Sequence, residues 1–574
     1  MMFLGALLEA AGIGLVAPAF AALDPQQVEG SRPLRFLIRF LGDPSRGKLL
    51  AAISLLILVV YVGKNLYLAL LYYVQYRFCF EQQTRISRTV FASYLASDYA
   101  VHLRRNSAAL LRNVNDGVSH VFASGLSPAL TLVTEAMVVV VLMVVLVAVD
   151  PLAAFVTAGV LVAASLLFYR LLRRKMLALG AEHSQYSTAM VQAVNQGLGA
   201  IKEAKILGRE SYFLEAYSRN LRDYVRTLRV VRTLNELPRL FLESLAVAGL
   251  VLVAATYVLQ GHDAARLLPT LGVFALIGMR LAPSLNRIVT SLGSIRHAGS
   301  SLDILYSDLC ASSSASPNSA SATSEIGQTF EAGIRLEAVT YRYPETTRAA
   351  LSGVSLEIPR NRTVAFVGPS GAGKSTVIDL ILGLLVPSSG SVLVDGKDIR
   401  TNLRWWQSKV GYIPQPIYLL DDTIRRNVAF AVRDSDIDDA KVRSALSSAQ
   451  LLEFVEALPN GLDSFIGENG VRISGGQRQR IGIARALYGD PEILVMDEAT
   501  SALDAETERE IVRAIDRFGR EKTILIVAHR LSTVERCDRV LFFRNGEFIQ
   551  GDTYPRLLES NASFRAMVEA ARRP

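Results

Sequence analysis

The first half of this 574-residue chain is dominated by apolar runs about as long as a membrane is thick. A helix needs about 20 apolar residues to cross the hydrocarbon core. Lipid offers no partner to an unpaired backbone group, so several such runs in one chain are confined to a helical bundle. Six candidate spans can be read, at about residues 1–23, 48–77, 127–149, 151–171, 239–260 and 264–286. Only Asp150-Pro151 separates the third from the fourth, which fits a tight turn. The opening run, "MMFLGALLEAAGIGLVAPAFAAL", could pass for a signal peptide. It has no basic segment before its apolar stretch, and further spans follow, so a first transmembrane helix is expected.

The formal charge is +8. Basic residues gather in the connections between spans, among them Arg85, Arg88, Arg104, Arg105, Arg173, Arg174, Arg219 and Arg222. Basic connections mark the cytosolic side, so the charge implies no nucleic-acid partner. Cys79, Cys310 and Cys537 lie far apart, with no metal-ligand spacing and no disulfide framework. A reducing, cytosolic environment fits them.

A transmembrane domain is expected over residues 1–310. The small, polar stretch "ASSSASPNSASATSE" (Ala311–Glu325) cannot bury enough surface to fold, which makes 311–332 a flexible linker. From 333 to 574, short β-branched runs ("TVAFVG", "SVLVDG", "EILVMDE", "TILIVAH") alternate with helical stretches. That alternation predicts an α/β domain with a largely parallel sheet. The expected fold is thus an all-α membrane domain of six helices followed by an α/β nucleotide-binding domain.

The chemistry lies in the second half. "GPSGAGKST", residues Gly368, Pro369, Ser370, Gly371, Ala372, Gly373, Lys374, Ser375 and Thr376, follows an apolar strand and opens a helix. This is a complete phosphate-binding loop in its required strand–loop–helix setting. Glycines let the backbone approach phosphate, and the helix N-terminus offers amide donors. Lys374 is placed to reach the terminal phosphates and Ser375 to ligate Mg²⁺. Downstream, "EILVMDEAT" is a buried strand ending in two acids. Asp497 is expected to hold the Mg²⁺ shell, and Glu498 to orient and polarise the attacking water. In "ISGGQRQR", Ser474, Gly475, Gly476 and Gln477 precede an amphipathic helix and present a second phosphate-binding surface.

With these segments together the chain resembles the ATP-binding cassette family, whose LSGGQ signature is met here with Ile473 in place of leucine. The resemblance covers essentially the whole chain. It implies that Gln415 in "VGYIPQ" is the Q-loop residue, touching Mg²⁺ and water. It likewise implies that Ser501, Ala502, Leu503 and Asp504 form the D-loop, that His529 in "IVAHR" is the switch histidine near the γ-phosphate, and that Tyr343 stacks on adenine. In that family the phosphate loop of one cassette faces the signature of another across ATP. One cassette per chain therefore implies a homodimer with two competent sites. Membrane domain first and cassette second resembles a type IV exporter, placed in the cell membrane with its cassette in the cytoplasm.

In such exporters each long cytosolic loop reverses at a coupling helix. The reversals are expected within Tyr94–Leu111 and near Ala181–Ile201, the latter just before the charged stretch "GLGAIKEAKILGRE". "IKEAKILGRESYF", "HLRRNSAALLRNV", "LLEAAGIGLVAP", "LLDDTIRRNVAF" and "MRLAPSLNRI" resemble the lipid-linked oligosaccharide flippases. That resemblance implies a polyprenyl-pyrophosphate-linked glycan as substrate, in contact with membrane lipids. An exporter of peptides or hydrophobic molecules, or an ATP-gated channel, uses the same fold. An anionic head group needs cations along its path. Arg280 and Arg287 lie seven residues apart, on nearly one helix face. They are candidate contacts, with pairing to Glu9 or Glu135 as the alternative for Arg280. In "LRFLIRFLG", Arg35 and Arg39 flank an apolar face that fits an interfacial helix, and they are the outer candidates.

Overall fold

The computed structural model describes residues 1–14, 46–149, 151–259, 264–314, 330–344, 346–497, 521–528 and 530–572. The chain divides into two compact units, one of Met1–Ser97 with Val101–Ala315 and one of Asp98–Ala100 with Ser316–Pro574. Arg35 and Arg39 lie outside the described residues.

The first unit is helical. Its principal helices are α1 (Met2–Gly14), α2 (Arg46–Ala96), α3 (Ser127–Val149), α4 (Pro151–Gly199), α5 (Glu210–Leu259) and α6 (Ala264–Ser314). Helix α4 packs on α5 and α6, while α3 packs on α6 and α1. The seam closes on Ala6, Leu142, Leu146, Leu242, Leu281 and Leu285, all buried. Other faces are apolar and open: Leu55, Leu58, Val59 and Val62 on α2, and Val140 and Val144 on α3 are exposed. Apolar surface left open on this scale needs a non-aqueous neighbour, at about 25 cal/mol per Å² of exposure to water. Among the described residues, segments within Gly47–Ala96 and Ser107–Val147 are long and apolar enough to cross a membrane.

The long helices run well past the expected spans. Helix α4 continues without a break through Ala181–Gly199, so the second reversal is not centred near Ala181–Ile201. It falls at Ala200–Arg209, around a short helix, Ile201–Leu207. No residue of Ala181–Gly199 is proline or takes a left-handed backbone, so nothing stops the helix before Gly199. The short helix stops at Gly208, in the left-handed conformation (φ +60°), where its amide donates to Lys205 O and the Arg209 amide to Ala204 O. Only glycine takes that conformation without strain. The charged stretch singled out in the sequence is therefore the turn itself. At the first connection, helices Tyr99–Arg104 and Ser107–Arg112 follow α2, and π-helical turns cover Asn113–Gly117 and Phe122–Leu126 before α3.

The second unit contains ten strands among the described residues: β1 (Gly333–Tyr341), β2 (Leu351–Pro359), β3 (Thr363–Val367), β4 (Ser389–Val394), β5 (Lys397–Asp398), β6 (Val410–Ile413), β7 (Ile493–Asp497), β8 (Thr523–Val527), β9 (Arg539–Arg544) and β10 (Glu547–Asp552). One sheet runs β2-β1-β4-β5 and is antiparallel. The other runs β10-β9-β3-β8-β7-β6 and is parallel except at β10. Strands β3, β7 and β8 are buried nearly throughout, as continuous apolar runs in a covered parallel sheet must be. Two cores result. One gathers β1, β2, β4 and the helix after β3; the other gathers the helices between β6 and β7.

Candidate functional site

The carboxyl ends of β3 and β7, with β8 between them, point the same way, and open α/β sheets bind ligands at that edge. The loop after β3 leads into α7 (Lys374–Ile381). Its course depends on glycine at two places. Gly368 has φ +152°, and a Cβ there would stand 2.2 Å from Phe543 O. Gly373, the residue capping α7, has φ +96°, and its Cβ would meet Leu351 Cδ2 at 2.7 Å and Ala350 O at 2.9 Å. Any other residue would push the loop away from β2 and β9 and open the cradle. No side chain caps α7, so its first amides are left to an anion.

Lys374 curls back over this loop: Nζ donates to Gly368 O at 2.9 Å and Pro369 O at 3.0 Å. That grip holds the ammonium at the mouth of the cradle, where a terminal phosphate would compete for it. Ser375 is exposed at the start of α7 and Thr376 is buried. The hydroxyls of Thr376 and Tyr343 lie 3.2 Å apart. The Tyr343 ring meets Tyr341 edge-on at 5.0 Å, so the tyrosine is fixed beside the phosphate loop.

Asp497 ends β7, opposite Val527 of β8. Asp379, one turn beyond Ser375, feels its charge. Burial first, and Asp497 second, push the Asp379 carboxyl up to about 6. The same causes raise Tyr412 on β6. Asp379 was not singled out in the sequence, although its place one helical turn after Ser375 was a signal. Gln415 is exposed two residues beyond β6. The hydroxyl of Ser375, the carboxylate of Asp497 and the amide oxygen of Gln415 are hard oxygen donors of the kind Mg²⁺ takes. The glycine cradle and open helix terminus fit a nucleoside triphosphate.

The signature residues sit elsewhere in the cassette. Ser474 caps α8 (Gly475–Leu487): its Oγ accepts from Gln477 N at 3.2 Å, and Gln477 Oε1 accepts from Ser474 N at 2.8 Å. This capping box fixes the turn while leaving the hydroxyl hydrogen and the Gly475 and Gly476 amides to face outward. Helix α8 packs on the helices Ile424–Val428 and Asp439–Ser448, whereas α7 belongs to the other core. Glu498, Ser501, Ala502, Leu503, Asp504 and His529 lie outside the described residues.

In the helical unit, Arg280 of α6 donates to the carboxylate of Glu9 on α1, and Arg287 to that of Glu135 on α3. Both acids are deeply buried, 4% and 2% exposed. The sequence reading missed Lys64 of α2, whose Nζ lies 3.4 Å from the other Glu9 oxygen. Its signal was a lone lysine in an apolar run. These five residues carry three positive charges against two negative.

Two family models match the chain: the ABC transporter transmembrane region over residues 31–277 and the ABC transporter cassette over residues 351–501. An ATP-dependent lipid A-core flippase of Ralstonia nicotianae is 32% identical over 83% of this chain and 80% of its own length. One from Cupriavidus pinatubonensis is 31% identical, over 81% and 78%. A solved structure of a bacterial Atm1-family ABC exporter with ATP bound shares the fold, with a TM-score of 0.81, 22% identity and coverage of 99% and 98%. The chain thus belongs to the ABC transporter family, as an integral inner-membrane protein whose cytoplasmic ATPase is coupled to transport.

Proposed function

We propose that the protein is a flippase that uses ATP to move a phosphorylated glycolipid from the cytoplasmic to the outer leaflet. The observation that carries this is the similarity to lipid A-core flippases over four-fifths of the chain. Lipid A-core and the polyprenyl-pyrophosphate glycan expected from the sequence share one chemistry: acyl or prenyl tails, phosphates and sugars. The charge set of α1, α2, α3 and α6 suits that class. Glu9 serves both Lys64 and Arg280, so among these five residues one positive charge is left over. A buried surplus cation is costly, and a phosphate passing through offsets it. Arg280 and Arg287 act in this scheme as paired residues that share their hydrogens with the substrate.

The catalytic unit is a homodimer of two six-span chains. ATP lies between Gly368–Thr376 of one chain and Ser474–Gln477 of its partner, with Tyr343 against adenine. Ser375, Asp497 and Gln415 would hold Mg²⁺, which would neutralise charge on the phosphates. Glu498 orients water, His529 contacts the terminal phosphate, and Ser501–Asp504 join the two cassettes.

Reconstitution in liposomes tests the reading. ATPase stimulation and ATP-dependent leaflet transfer are measured with lipid A-core, a polyprenyl-pyrophosphate glycan and a peptide. Stimulation by either glycolipid and not by peptide supports the flippase. Transport of peptide, with no response to either glycolipid, replaces it with a peptide exporter.

A further inference from the structure

A guanidinium is buried in the cytosolic part of the helical unit with no salt bridge among the described residues; the Asp116 and Asp308 carboxylates attract it from beyond salt-bridge distance. Arg112 is 6% exposed. Its Nη1 donates to Ser184 Oγ of α4 at 2.6 Å and its Nη2 to Asn113 Oδ1, while its Nε is buried with no partner. The acid of this network, Asp308, is taken by Arg105 at 2.6 Å and by the Tyr94 hydroxyl and Asn113 Nδ2. Arg112 forms no ion pair among the described residues. It opens on a cavity of about 540 Å³ whose walls include Asn113, Ser184, Gln185, Gln192 and Ser300. The Ser300 hydroxyl is a second buried group there without a partner.

Burying a cation with no carboxylate hydrogen-bonded to it is expensive, and burying an unused donor adds to the cost. Both costs fall if an oxyanion enters this pocket. Arginine matches phosphoryl oxygens with paired donors. The surrounding hydroxyls and amides both donate and accept, as sugar hydroxyls require. The volume lies in the range of small-molecule sites and exceeds what a bare anion fills. Ser300 stands 14 residues past the expected membrane end of α6 at residue 286, about 21 Å along the helix. A lipid's own phosphate stays at the membrane surface, but a sugar chain attached to it spans that distance.

We infer that this pocket binds the phosphorylated sugar end of the substrate's head group on the cytosolic side. The inference rests on the glycolipid function proposed above. It makes Arg112 and Ser300 the residues that select a phosphorylated over a neutral glycan.

The test uses the full-length protein in detergent with its nucleotide sites filled by a non-hydrolysable ATP analogue. Isothermal titration is run with glucose 1-phosphate, glucose and inorganic phosphate. Glucose 1-phosphate is expected to bind more tightly than either of the others and to raise the unfolding temperature. Arg112→Lys and Ser300→Ala should each weaken it about tenfold or more. Ser300→Ala, a mild change, should keep the ligand-free unfolding temperature of the wild type and so separates binding from folding. Absence of binding, or binding that neither variant alters, overturns the site. Inorganic phosphate binding as tightly as glucose 1-phosphate overturns its sugar specificity. Glycolipid in nanodiscs should displace glucose 1-phosphate, and failure to do so overturns the head-group assignment. If glycolipid is not flipped while sugar-phosphate binding still depends on Arg112 and Ser300, the flippase function falls and the pocket stands.

Discussion

Arg280 donates to the carboxylate of Glu9, joining α6 to α1 across the apolar part of the helical unit. Because Glu9 also holds Lys64, losing this one acid strands two cations. Glu9→Gln is therefore expected to destabilise the protein by about 3–5 kcal/mol, the cost of breaking a buried pair from one side. Adding Arg280→Gln should recover part of that loss, measured as a double-mutant cycle of unfolding in detergent. Lys64→Met leaves the Glu9–Arg280 pair whole and removes the surplus charge. It should blunt stimulation by glycolipid more than it lowers stability; equal loss of both would make Lys64 a purely structural residue.

The Arg280–Glu9 pair was named from the sequence as one alternative, but the partner of Lys64 was not legible there. A lone Lys64 says that something must meet its charge, but its acid lies on another helix, 55 positions away. Arg112 met the same limit, since its partner Ser184 comes from α4. The phosphate loop was legible because its chemistry is local: glycine spacing, a strand before it and a helix after it fix the geometry within a dozen residues. The second reversal was misplaced for a physical reason. No residue of Ala181–Gly199 is proline or takes a left-handed backbone, so α4 runs on to Gly199, and the left-handed turn at Gly208, with its two backbone hydrogen bonds, closes the short helix after it.

The role assigned to Glu498 has a direct measurement. Glu498→Gln keeps the shape and removes the acceptor of a water proton. ATP binding is expected to persist while hydrolysis drops by about 10²-fold or more. Steady hydrolysis by this variant would remove Glu498 from the role of base.

The two halves of the nucleotide site lie on different cores of one cassette, α7 on one and α8 on the other. If they act across a dimer, two inactive chains should rescue each other. Lys374→Ala damages the phosphate loop and Ser474→Arg damages the signature. A mixed dimer then holds one site with both defects and one with neither. Partial recovery of ATPase on mixing is the expected result. Mixing that leaves activity at the level of the separate variants would place both halves in one chain's site, or make a single intact site insufficient; a tandem wild-type/Lys374→Ala dimer distinguishes these.

A cluster of three histidines in the cytosolic part of the helical unit should make stability depend on pH. His120, His183 and His297 come from the segment before α3, from α4 and from α6, with ring centres 4.9, 5.0 and 5.4 Å apart. The His120 Nε2 and His297 Nδ1 atoms share a hydrogen bond at 3.1 Å, and His120 Nδ1 bonds the Ser301 hydroxyl at 3.2 Å. Burial first, then a neighbouring ring, lowers each histidine from 6.5 to about 4, with Arg112 adding to the shift of His120 and His183. The folded protein therefore keeps them neutral where the unfolded chain takes up protons. Their contribution is complete above pH 6.5 and is lost as pH falls from there towards 4. The unfolding temperature of the helical unit should drop over that window, and His183→Gln, which removes one titrating ring, should flatten the drop. The Arg112 charge contributes to the shift of His120 and His183, so an anion bound beside Arg112 should move the window upward. A window unmoved by glucose 1-phosphate at saturation would separate the histidine cluster from the proposed pocket.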